Sequence, residues 1–372
     1  MNFEDNVVLI EHRCSEKSDQ GKTAHLSGAC DLRFYLSCVI PVAMLLALAQ
    51  GCSRNTLEDQ LQAYQQKLVR VLDQELPETT GAEWQPLPRA RLLRLTFSDE
   101  SINLLEFVHL LECDLNALVA DHNSSLGRQA PSSQQLIYQL RFLASVERCI
   151  GQIEADHPEL AETLASVSRG KQRQLPGYIW QATLGGREFR SFWQPDAGQV
   201  YAAAEFSELD VALARLKYLV ERWLAGEYAE DPGELENLLA TVRRGDGGRL
   251  LAAWLELEQG LNAATAVLQG RGDGSPLCYP DMRTPQADIF KNVVMTDFVG
   301  TLQPLVARMN RRFYDSYQLV QSLESALAAA APAPYEAWRA QRDARLTRAK
   351  ESVPAHVAAL EPLMSQCGFL PG

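Results

Sequence analysis

Leu57, Leu61, Tyr64, Leu68 and Leu72 stand three or four residues apart with charged residues between them, a spacing that predicts an amphipathic helix from Asn55 to about Leu76. The same period returns along most of the chain beyond that helix. Pro77 to Pro88, with Gly81, Trp84 and Pro86 inside it, predicts an extended connector. Arg91–Phe97 fits an extended segment, with Ser98 and Ser101 as helix-entry residues. Ile102–Val119 carries apolar residues at 104, 107, 108, 111, 115 and 118 and predicts a helix. Residues 120–132 break it, and Ser132 with Gln135 reads as a capping box for a helix striped by Leu136, Leu140, Leu143, Val146, Ile150 and Ile153. These two helices are expected to pack antiparallel.

Beyond Pro158 the pattern predicts breaks at Gly170 and at Pro176–Gly177. For Tyr178–Trp193 two readings stay open, a hairpin turning at Gly185–Gly186 or two helices meeting there; Ala182, Glu188 and Arg190 favour helices. Ser207 with Asp210 is a capping signal, and Phe206 with Val211 a hydrophobic staple, for a helix reaching about Gly226. Pro232 opens another through Arg243. Gly245–Gly248 separates it from a helix over Leu250–Leu268, and a loop over 270–285 precedes a long helical pattern, Ala287–Leu327, broken near Pro304. After an Ala-Pro break, helices over Tyr335–Glu351 and Ala355–Met364 close the chain. No repeat period stands out. The fold class predicted is all-α, an irregular helical bundle with a minor extended segment or hairpin.

Upstream of this body lies Phe34–Cys52, an uncharged run. Arg33 supplies a basic start, Val39–Leu48 an apolar core, and Leu48-Ala49-Gln50-Gly51-Cys52 small residues at a cleavage point; the last five resemble the lipobox of bacterial lipoproteins. A membrane-spanning helix needs about 20 apolar residues, and this run is shorter and contains Pro41. The organisation expected is an N-terminal extension over 1–31 with the wrong charge for a signal start, a signal peptide over 32–51, and a helical periplasmic domain over 52–372. The lipobox implies lipid on Cys52 as the membrane attachment. Ser53, where an Asp would favour the inner membrane by the same likeness, points to the outer membrane, facing the periplasm.

Charge narrows the partners. Residues 1–51 hold 4 of the 35 Lys and Arg and 6 of the 47 Asp and Glu, which leaves a net of −10 for the rest. An acidic surface argues against nucleic acid, which asks for a basic one. Four cysteines come after Cys52, namely Cys113, Cys149, Cys278 and Cys367, with no CxxC among them. In an oxidising compartment an even number favours disulfides over four buried thiols. Of the three pairings, Cys113 with Cys149 and Cys278 with Cys367 join neighbouring parts of the chain.

Candidate chemistry is sparse. The glycine runs at 245–248 and 270–274 lack the lysine and hydroxyl of a phosphate loop, and Arg271-Gly272-Asp273 is too short a match to an adhesion tripeptide to carry meaning. His109, His122, His157 and His356 fall in no metal-binding spacing, though His109 and Glu112 lie one turn apart. No serine stands in a nucleophile motif, and Glu256 and Glu258 point to different helix faces. Neither a metal nor a cofactor nor a catalytic set is indicated. The densest polar cluster is the turn at Asp121, where His122, Asn123 and Ser124 form either a helix terminator or a binding corner. Trp180, Phe189, Phe192 and Trp193 either line a groove or fill the core.

The run LLEFVHLLECDLNALVADHNSSLGRQAPSSQQLIYQLRFL over 104–143 and WQATLGGREFRSFW over 180–193 resemble two blocks of a family of uncharacterised proteobacterial lipoproteins, a domain of unknown function. That resemblance implies a location and no activity, ligand or catalytic residue. The function expected is a non-catalytic envelope lipoprotein that binds a protein or glycan partner; the alternative is an envelope hydrolase whose site assembles only in the fold.

Overall fold

Fourteen α-helices and one two-stranded hairpin account for nearly all the regular structure among the described residues, which in this computed structural model are 56–77, 85–98, 113, 115–195, 207–271, 276–279 and 282–369. They lie in one compact unit, Asn55–Gly372. The helices are α1 (Leu57–Leu72), α2 (Ala90–Leu93), α3 (Leu115–Asn123), α4 (Ser125–Arg128), α5 (Ser132–Ile153), α6 (Pro158–Ala182), α7 (Arg187–Phe192), α8 (Ser207–Leu224), α9 (Pro232–Arg243) and α10 (Gly247–Gly270). After the hairpin, β1 (Cys278–Tyr279) with β2 (Met282–Arg283), come α11 (Pro285–Val293), α12 (Gln303–Arg312), α13 (Gln318–Ala326) and α14 (Ala333–Gln366). The all-α irregular bundle expected from the spacing is the architecture found.

α10 is the centre. Apolar residues run round most of its circumference, with Leu250, Leu251, Trp254, Leu255, Leu257, Leu261 and Val267 buried, and a helix with so wide an apolar face requires neighbours on several sides. α1 and α14 provide two of them. Gly260 lets α1 close in: a Cβ there would stand 2.8 Å from Leu61 Cδ1, and its carbonyl accepts from Gln65 Nε2 at 2.8 Å. α1 buries all five residues of its predicted stripe and starts in a capping box, Thr56 Oγ1 accepting from Asp59 N and Asp59 Oδ2 from Thr56 N, both at 3.0 Å. At the end of α8, Gly226 takes a φ of +91°, a conformation side-chain-bearing residues avoid, and Glu227 N closes the turn onto Arg222 O at 3.0 Å.

α3 and α5 run antiparallel, with Cys113 just before α3 bonded to Cys149 at one end and His122 stacked on Tyr138 at the other. α5 and α6 form a second pair.

Several expected boundaries are absent. α6 passes through Gly170 and Pro176–Gly177 without a break, because Leu175, Ile179 and Trp180 beyond them are buried and the packing outweighs what an internal proline costs. Gly177 there accommodates the Phe97 ring, 2.9 Å from where its Cβ would be. α14 likewise continues through Pro354, where a break between two helices was expected, since its buried residues continue through Ser352, His356, Leu360 and Met364. Ser132 and Gln135 make no capping box: Pro131 is the N-cap, and Gln135 Nε2 donates instead to Ala130 O at 2.9 Å. α10 begins at Gly247 rather than Leu250, and Gly247 sits against the Phe192 ring. Gly185–Gly186 separates two helices, and the hairpin lies at 278–283. Over 287–327 the helix does not break at Pro304; it passes through π-helical turns at Val294–Leu302 and Phe313–Tyr317, and Pro304 falls in the first turn of α12, where a ring is tolerated.

Candidate functional site

A cleft of about 690 Å³ opens where three separate stretches of chain meet: α2 and the extended residues after it, the α4–α5 turn, and the end of α6 with the start of α7. Arg190 Nη1 donates to Pro88 O at 2.9 Å and Leu95 N donates to Gln181 Oε1 at 2.9 Å, which pins the extended stretch to the helices behind it. Phe97 stacks on Tyr178 with ring centroids 3.7 Å apart. Leu93, Leu95, Phe97 and Ala182 give the cleft its apolar surface; Arg94, Arg128 and Arg187 give it positive charge.

The N-terminus of α5 also opens here. Its N-cap is a proline, so no side-chain oxygen takes up the first-turn N–H groups, and the positive end of a 22-residue helix dipole is left available. Countercharge is present too: Glu188 holds Arg187 at 2.6 Å, and Ser133 Oγ donates to Glu236 at 2.6 Å. Arg94 and Arg128 are exposed and meet no carboxylate among the described residues. The arrangement suits binding of an anionic group. Its lining contains no histidine, and the hydroxyl in it that meets a carboxylate, Ser133 on Glu236, is buried at 7% exposure, whereas a nucleophile has to reach its substrate.

The polar turn proposed from the sequence lies outside that cleft. Ser124 caps α4, accepting from Gly127 N at 3.0 Å and donating to Asp121 O at 2.7 Å. His122 lies flat on Tyr138 with centroids 3.7 Å apart, and burial pushes the Tyr138 phenol up to about 12. Asn123 is exposed at the end of α3. Ser124 and His122 therefore take part in the helix junction. Trp180, Phe189, Phe192 and Trp193 are core residues, none more than 1% exposed. Cys278 is bonded to Cys367 with Cα atoms 5.2 Å apart, and the Cys113–Cys149 Cα distance is 5.4 Å, both within the span of a disulfide. Cys52, His109 and Glu112 lie outside the described residues.

Three buried polar networks escaped the sequence reading. Arg342 on α14 donates Nη1 and Nη2 to the two oxygens of Glu324 at 2.7 and 2.8 Å, and each side chain is 1% exposed. Tyr335 OH donates to the same carboxylate at 2.7 Å, and Arg342 Nε to Asp343 at 2.9 Å. The guanidinium carbon stands 4.7 Å from the Trp193 ring centre, 4.9 Å from Trp338 and 5.1 Å from Tyr317. Burial works to lower the Arg342 pKa; the hydrogen bonds and charge of Glu324 outweigh it and hold the group well above its ordinary value. Arg312 is held by Asp210, read in the sequence as part of a capping signal, at 2.7 Å and by Asp246 at 3.1 Å. His356 joins Tyr64 OH and Thr265 Oγ1, each at 2.9 Å, with burial pushing its imidazole down to about 4. One signal was available, namely that Arg342 and His356 sit in a mainly apolar helical stripe.

A family model described as a protein of unknown function, DUF3080, matches residues 61–371. No curated protein and no solved structure matches the chain.

Proposed function

Since the chain belongs to this family of unknown function, DUF3080, which brings no activity with it, we propose from its own residues that it is a non-catalytic lipoprotein of the cell envelope, a helical binding module held by lipid on Cys52. The observation that carries the proposal is the apolar run closing on Gly51–Cys52, five residues before the first described helix at Leu57. Lipidation needs a thiol at that point, and several acyl chains on one terminus make attachment effectively permanent. Two disulfides agree with an oxidising compartment such as the periplasm. Among the described residues no helix is long and apolar enough to cross a membrane, so in this proposal attachment falls to the lipid. Ser53 favours the outer membrane, with the body facing the periplasm.

The binding role rests on the cleft, whose arginines and free helix N-terminus suit an acidic protein segment or an anionic glycan. The hydrolase alternative asks for a hydroxyl or thiol beside a base in an accessible pocket. Hydroxyls do meet bases at Glu236, through Ser133, and at His356, but Ser133 is 7% exposed and the His356 ring 0%. Binding is therefore the better reading.

Metabolic labelling with an alkyne fatty acid tests the anchor. Wild type is expected to take the label and sediment with membranes; Cys52→Ala is expected to lose both, because no other group at the junction accepts the diacylglyceryl chain. Label retained on the Ala variant would rule out the lipobox.

A further inference from the structure

A second cavity, about 400 Å³, lies between α14 and α10. Arg345, Arg348 and Trp338 line it from α14, and Leu251 and Leu255 from α10. Each of the α10 and tryptophan side chains is more than nine-tenths buried. We propose that this cavity binds a single-chain anionic amphiphile, its phosphate or carboxylate head on Arg345 and Arg348 and its alkyl chain along Leu251, Leu255 and Trp338.

Charge distribution on α14 supports the head. Four arginines succeed one another at three-residue intervals, and the first two are neutralised: Arg339 by Glu336 at 2.6 Å and Arg342 by Glu324 at 2.7 Å. Arg345 and Arg348 have no such partner among the described residues. Two like charges one turn apart repel, and here they stand uncompensated in a chain of net charge −12. Arg345 Nε, moreover, is shut off from solvent and meets no acceptor. A guanidinium binds a carboxylate or phosphate through paired N–H groups in a planar fork, and an anion at the cavity wall would give Nε the acceptor it lacks by drawing the side chain round. Apolar surface beside that head accounts for the tail, and the volume falls in the range of small-molecule sites. Cations beside a greasy wall select for both features together: a head alone loses the apolar contact, and an uncharged tail leaves the arginines unpaired.

The inference does not depend on lipid at Cys52 or on the larger cleft. It is tested by titration calorimetry on the full chain in phosphatidylcholine nanodiscs, with empty discs subtracted, using octyl phosphate, octanoate, octyl glucoside and inorganic phosphate as probes. Octyl phosphate or octanoate is expected to bind, and which one is tighter identifies the head. Octyl glucoside and inorganic phosphate are expected to bind at least tenfold more weakly. Arg345→Gln with Arg348→Gln, the first half-buried and the second exposed, is expected to weaken the anionic probe at least tenfold, while Arg169→Gln with Arg173→Gln, exposed on α6 and outside both cavities, leaves it unchanged. A matching melting temperature shows that the α14 variant is folded. Binding of neither anionic probe, equal binding of octyl glucoside or inorganic phosphate, or an unaffected α14 variant would overturn the proposal.

Discussion

Replacing Glu324 by Gln is expected to be among the costliest polar changes in this protein. The carboxylate receives both Nη groups of Arg342 and the Tyr335 hydroxyl, within 2.7–2.8 Å, in a site where each partner of the ion pair is 1% exposed. Gln keeps the shape but removes the charge and one acceptor, and it leaves the guanidinium with Asp343, which is 36% exposed and screened by water. Breaking a buried pair by removing one partner costs about 3–5 kcal/mol, since an uncompensated charge remains. That is a large share of the roughly 5–15 kcal/mol by which a folded domain exceeds its unfolded state. The three aromatic rings around Arg342 offset part of the loss, so the lower end, about 3 kcal/mol, is expected. Urea unfolding at neutral pH measures it, and a cycle with Arg342→Met separates the pair from its surroundings. The double variant is expected to be less destabilised than the sum of the singles, because removing both charges removes the desolvation they impose. A Glu324→Gln cost below about 1 kcal/mol, or strictly additive singles, would refute the account of this network as a tightly coupled buried pair.

Acid is expected to weaken the fold through His356. Burial holds its folded pKa at about 4 against 6.5 for an ordinary histidine, so the unfolded chain binds the proton more readily; the stabilisation is complete above pH 6.5 and fades as pH falls towards 4, by about 3 kcal/mol in all. His356→Gln is expected to flatten that part of a urea-midpoint profile, and an unchanged slope in the variant would refute the assignment. Glu256 contributes with the opposite sign: burial, then Glu58 and Asp59, raises it to about 7, so its protonated form favours the fold at low pH and that support is lost as pH rises. The disulfides close loops with separations of 36 and 89 residues, for which loop entropy gives about 4 and about 5 kcal/mol. Paired Cys→Ser variants should each lower the melting temperature, and a melting curve indifferent to reductant would contradict both bridges.

Helical stripes were legible because burial on one face leaves a period that composition cannot hide, as α1 illustrates with all five predicted residues buried. Punctuation was not. Gly170, Pro176 and Pro354 look like stops in isolation, yet residues on both sides of them, Val167 and Leu175, Leu175 and Ile179, Ser352 and His356, are buried, and contacts made far along the chain decide the matter. Asp210 shows the same limit from the polar side: its place three residues after Ser207 suggests a cap, and only the fold brings Arg312 to it. The large cleft was out of reach for a related reason. Its residues come from 90–97, 128–135 and 181–188, and no local pattern says that stretches so far apart share a wall.

The long helix α14 extends for 34 residues, about 51 Å at 1.5 Å per residue, and it comes later in the chain than every element it packs upon. Synthesis proceeds from the N-terminus, so α10 is made while one of its principal covers does not yet exist. Until α14 arrives, Glu324 lacks Arg342, Thr265 lacks His356 and Cys278 lacks Cys367. A shortened chain is thus an exposed intermediate rather than a smaller version of the body, unlike a repeat array, in which each added unit rests on the one before. Completion is concentrated in one late event, and between the making of α10 and that event the nascent chain carries an open apolar surface that a holding factor would have to shield.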